Sequence, residues 1–119
     1  MKKVLFIQTG FGVDVHGQDV TKAAVRAVDN AIYHNSMAGI EAMLPNEDLN
    51  NMCVTVKLAI PTDESELDIE AVKARIPFGT VTVETQRGGM VTTHGIIIPE
   101  KGDKNDLMYI VNASVEAGY

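Results

Sequence analysis

Asp14 and His16 stand two residues apart inside GFGVDVHG (residues 10–17), with Gly10, Gly12 and Gly17 around them. In an extended segment, side chains at i and i+2 leave the same side of the chain. A carboxylate oxygen and an imidazole nitrogen can then converge on one divalent ion, and Zn, Mn or Fe accept such mixed ligation. The three glycines would leave space for the ion or for a bound small molecule. Two donors do not complete a site: His94 is the first candidate for a third and His34 the second, while Asp19 is more simply spent as a helix cap. On this reading Asp14 and His16 are also the catalytic pair. A bound ion acts as a Lewis acid or lowers the pKa of a bound water, which points to a hydrolase or lyase working on a polar or anionic metabolite. Two other readings compete. The segment is a strand-to-helix turn whose Asp14 satisfies nearby amides and whose His16 faces solvent, or it is a non-catalytic binding or scaffold element that holds an anion through amides at the start of the next helix.

Two familiar phosphate-binding patterns fail on their residues. A dinucleotide turn needs a third glycine where Val15 stands, and a P-loop needs Lys and Ser or Thr where Gln18 and Asp19 follow Gly17.

The elements that would position these groups follow from periodicity. Lys3–Gln8 is a short apolar run that reads as a buried strand ending at the glycines. From Val20, the residues Ala24, Ala27, Val28, Ala31 and Ile32 recur at helical spacing behind Asp19 as cap; the helix is predicted to reach about residue 34–36 and to continue raggedly to Met43. Met52–Ile60 alternates, with Val54, Val56, Leu58 and Ile60 on one side. Asp68 caps a second helix that Pro77 stops, and Thr80–Gln86 alternates again before Gly88–Gly89 turns the chain into Met90–His94. Ile96–Ile98 and Leu107–Ala113 read as a last hairpin. The order βαβαβββ predicts an α+β fold, a two-layer α/β sandwich with one mixed sheet and two helices on one face. Two helices leave the other face uncovered, with Thr55, Lys57, Thr82, Glu84 and Gln86 on it, so a homo-oligomer is expected.

The 119 residues predict a single domain, 1–119, large enough to fold without disulfides. A net charge of −6 with no basic cluster argues against nucleic acid as a partner. Lys2–Lys3 precede only four apolar residues, too few for a signal peptide or a spanning helix. With Cys53 as the one cysteine, the expectation is a cytoplasmic protein without membrane contact. Cys53 reads as inert packing, since no neighbouring cation would activate it. Arg87 beside Gly88–Gly89 is the best secondary anion-binding candidate. Asn112–Tyr119 ends without a charged tail and is expected to dock, against another subunit or into its site.

GFGVDVHG matches G-x-G-x-D-x-H-G and resembles the signature of a family of small conserved hypothetical proteins of bacteria, with longer relatives in plants and no assigned function. Over a shorter span it is similar to the GHGFDVH segment of methylerythritol cyclodiphosphate synthases, where the aspartate and the histidine bind a divalent metal. That similarity implies a metal role for Asp14 and His16; the downstream histidine loop and the diphosphate-binding residues of those enzymes have no counterpart here. Their trimeric assembly agrees with the half-covered sheet.

Overall fold

The computed structural model describes residues 1–119. Val4–Asp14 forms β1, which runs extended straight through Gly10 and Gly12. The expected strand end at Gln8 is therefore six residues short, and GFGVD is strand rather than turn. The reason lies above it. Helix α1, Val20–Tyr33, crosses β1 with Ala23, Ala24, Ala27 and Ala31 completely buried. A Cβ on Gly10 would stand 2.5 Å from the Ala31 nitrogen and 2.9 Å from the Ala27 carbonyl oxygen, and one on Gly12 would run into Ala23 O and Ala27 N. Glycines on the strand, which have no side chain, and alanines on the helix, which have only a methyl group, let helix and strand backbones touch.

Asp19 caps α1, its Oδ1 accepting from the Thr21 and Lys22 amides at 3.0 and 3.2 Å. The helix stops at Tyr33, and the apolar spacing beyond belongs to a separate short helix α2, Ile40–Met43. Strand β2 is Cys53–Ile60, with Val54, Val56, Leu58 and Ile60 buried as the alternation requires. Helix α3, Ile69–Lys73, is capped by Asp68 through the Ala71 amide at 3.2 Å and leads to β3, Thr80–Arg87. Strands β4, Met90–Thr93, and β5, Leu107–Gly118, complete a five-stranded mixed sheet. The result is the predicted α+β sandwich. Ile96–Ile98 is not a strand.

The sheet order is β1-β5-β2-β3. Strand β5 lies antiparallel between β1 and β2, and β2 is parallel to β3. β3 and β4 do not form the hairpin that Gly88–Gly89 suggests. The chain instead crosses the end of β2, and β4 pairs antiparallel with β5, Met90 opposite Ile110. Both glycines permit that crossing: a Cβ on Gly88 would stand 2.7 Å from that of Ala59, and Gly89 has φ +65°. Gly88 N donates to Ile60 O at 3.0 Å. One face of the sheet, with Val56, Leu58, Val111, Val115 and Ala117, packs under α1, Ile40, Leu44 and Val72. On the other face Ile7 and Phe11 of β1 and Met90 of β4 stay 61%, 59% and 56% exposed.

Candidate functional site

Three connections meet at one end of the sheet. His16 follows β1, His94 follows β4, and Asp103 lies in the loop that enters β5. His16 Nδ1 pairs with Asp103 Oδ2 at 2.6 Å. The His16 and His94 rings meet edge to face, their centroids 4.8 Å apart. Candidate ligand atoms of all three residues lie within 4.8 Å of one another. His94 Nε2 is buried and has no hydrogen-bond partner. A buried nitrogen in that condition carries an energetic cost unless something binds it.

Asp103 is the hub that holds the loops in place. Its Oδ1 accepts from the Gly17 amide at 2.6 Å, and its Oδ2 accepts from the Ile98 amide at 2.9 Å as well as from His16. Burial alone would raise the Asp103 pKa, but the amides of Ile98 and Gly17, then the His16 ring, outweigh it and bring it down to about 2. Two left-handed glycines, Gly17 at φ +105° and Gly102 at φ +87°, turn the two segments toward each other. Gln18, itself at φ +47°, bolts them together: its Nε2 donates to Leu107 O at 2.7 Å and its Oε1 accepts from the Lys104 amide at 2.9 Å. His94 is held through its backbone, which donates to Asp106 O at 2.9 Å, and Gly95 N donates to Asp106 Oδ2 at 3.2 Å.

Of the expected metal-binding residues Asp14, His16 and His94, the structure brings the two histidines together and leaves the aspartate apart. Strand β1 ends at Asp14 and the chain bends at His16, so the same-side rule for i and i+2 no longer applies. Asp14 Oδ2 accepts from the Asp19 amide at 2.9 Å, and Oδ1 faces Arg26 Nη1 at 3.4 Å, with the side chain only 4% exposed. This is the amide-satisfying role weighed against ligation at the sequence level. Gly10 and Gly12, expected around a cofactor, are occupied by helix packing, and Gly17 serves backbone conformation with its amide committed to Asp103. His34 sits at the far end of α1, where Nδ1 donates to Asn30 O at 2.6 Å. The amides that would have cradled an anion at the start of α1 are taken by the Asp14 and Asp19 carboxylates.

Asp14 and His16 still border one open cleft of about 500 Å³, whose rim carries Lys22, Arg26 and Lys101 beside Glu100. Arg87 lines a separate groove with Asp63 and Glu64, acidic neighbours that disfavour an anion. The sequence reading missed Asp103 and Gln18. The signal was present in Lys101–Gly102–Asp103, a Gly-Asp turn, but nothing local to it says that it folds onto residue 16.

A family described as "Conserved hypothetical protein (Lin0512_fam)" matches residues 4–117. Among solved structures, an FtsZ-like protein of unknown function from Nostoc punctiforme PCC 73102 is 41% identical, with a TM-score of 0.82 over 97% of this chain and 93% of that one. No curated protein matches the chain. No helix is long and apolar enough to cross a membrane.

Proposed function

The chain belongs to this conserved hypothetical family, and from that premise we propose a divalent-metal-dependent enzyme, a hydrolase or lyase of a small anionic metabolite, built on His16, His94 and Asp103. The observation that carries the reading is the buried, unpartnered Nε2 of His94 beside a second imidazole. Two nitrogen donors backed by a carboxylate suit Zn, Mn or Fe. His16 and His94 would hold the ion. Asp103 would stand behind His16: with Nδ1 donating to this carboxylate, the ring is fixed in the tautomer whose lone pair is on Nε2. When bound, the ion supplies Lewis acidity and a more acidic water. Lys22 and Lys101 on the rim would attract an anionic substrate and orient it toward His16.

The test is metal titration of protein prepared without an affinity tag, followed by elemental analysis. His16→Ala and His94→Ala are expected to lose Zn, Mn and Fe binding, and Asp14→Asn to keep it. Folded wild-type protein that takes up none of these ions would refute the proposal. A second reading is favoured by the same cationic rim: a non-catalytic anion-binding protein, in which Lys22 and Lys101 do the work. Phosphate or carboxylate binding that survives chelation would select it.

We also read the open sheet face, with Ile7, Phe11 and Met90, as the surface on which copies of this chain associate. Sedimentation should then show an oligomer that Phe11→Glu dissociates; a wild-type monomer would refute this.

A further inference from the structure

At the other end of α1 lies a cavity that the metal reading does not use. It has a volume of about 320 Å³ and sits over β1, β5 and β2, under Ile32, Met37, Ile40 and Met52. That volume is near the lower bound of small-molecule pockets, ~300–1,000 Å³. No Asp, Glu, Lys, Arg or His lines it. Its floor holds one polar anomaly. Gln8 lies opposite Val115 in the sheet and so shares the core face, where it is only 5% exposed. The Gln8 side chain takes part in none of the protein's hydrogen bonds, and its amide is not sealed inside protein: the residue borders the cavity. A side-chain amide has two donor hydrogens and an acceptor oxygen to satisfy. Two aromatic rings frame the mouth and remain open to solvent, Tyr33 at 73% and Phe78 at 48%.

These observations converge on one occupant. We infer that this cavity is a binding site for a neutral, largely apolar small molecule carrying an amide-like head group, with Gln8 as its hydrogen-bonding anchor. A primary amide or lactam places a donor beside an acceptor, the complement of the Gln8 amide. The apolar walls take the body of the ligand, and Tyr33 and Phe78 suit a ring. A charged head group is disfavoured because the walls offer it no counter-ion. The helix between the two sites is 14 residues long, roughly 20 Å at ~1.5 Å per residue, so this site is separate from the His16 cluster.

Benzamide, benzoate and toluene are the probes, each titrated into the full chain and followed by NMR. Benzamide is expected to shift the Gln8 side-chain amide and the Ile32 and Met52 methyl groups saturably, with or without chelator. Benzoate should bind at least tenfold more weakly. Gln8→Met, which keeps length and apolar fit, should weaken benzamide about fivefold while leaving toluene unchanged. Benzamide that shifts no cavity residue, benzoate that binds as well as benzamide, or a Gln8→Met protein that binds benzamide at wild-type strength would each overturn the inference. Should Gln8→Met fail to fold, the wild-type shift map and the benzamide–benzoate ratio still decide.

Discussion

Replacing Gly12 by alanine adds one methyl group where there is no space for it. The new Cβ would collide with Ala23 O and Ala27 N and stand 2.8 Å from Arg26 C. All three are backbone atoms of α1, so no rotamer change can make room. Either the helix lifts from β1 or the strand bends away from it, and both separate the fully buried Ala23, Ala24 and Ala27 from the sheet. Overpacking of a tight core costs about 1–3 kcal/mol where side chains can shift. With rigid backbone on the other side, the upper end of that range, about 3 kcal/mol, is expected. At this chain length roughly 4 °C of melting temperature accompany each kcal/mol, so the midpoint should fall by about 12 °C. Urea denaturation with an unchanged m-value, checked by a thermal melt, measures it. Had Gly12 been there to admit a ligand, the variant would keep its stability and lose binding. A Gly12→Ala protein within about 0.5 kcal/mol of wild type, the range of ordinary surface changes, would refute the packing account.

Further outcomes follow from the same contacts. Asp103→Asn should weaken divalent-metal binding by about 10–100-fold while the His94 variant abolishes it, as calorimetry would show. The Asp103 carboxyl has a folded-state pKa of about 2, below the unfolded value of about 3.9, so its stabilising contribution is complete above the latter and drains away as pH falls through the former; acid unfolding monitored between pH 5 and 1.5 should be shallower in Asp103→Asn. Gln18→Ala removes two short bonds between the His16 turn and the 104–107 segment and should cost about 1–2 kcal/mol in urea, with faster amide exchange at Lys104. Asp19→Ala uncaps α1 and should cost about 1 kcal/mol, recovered in part by Asp19→Ser.

Much of the architecture was legible because it obeys local periodicity. The alanine-rich spacing of α1 and the alternation of Cys53–Ile60 each record one buried face, and both elements stand where the pattern puts them. The extent of β1 was hidden because glycine has low strand propensity, and its presence at residues 10 and 12 answers to a helix that only the fold brings alongside. The partner of β4 was hidden for a similar reason: a Gly-Gly pair signals a sharp change of direction and not which strand receives the chain. Within the candidate site, the pairing of His16 with His94 was anticipated, whereas Asp103 lies 87 positions from His16 and shares no local pattern with it. The Asp14–His16 pairing misled because the two-residue rule holds only while a strand lasts.

Strand β5 is the final element in chain order, yet it is the one between β1 and β2. Until Leu107–Gly118 is available, those two strands have no shared partner, and a nascent chain has only the β2–β3 pair beneath its helices. Closure therefore joins residues more than a hundred positions apart, Val4 with Gly118 among them. Such long-range closure makes folding slow and concerted. The Asp103 loop and β4 are both anchored on this strand, through Gln18 to Leu107 O and through the β4–β5 pairing, so a ribosome-bound fragment ending before β5 should be protease-sensitive throughout and hold His16 and His94 apart.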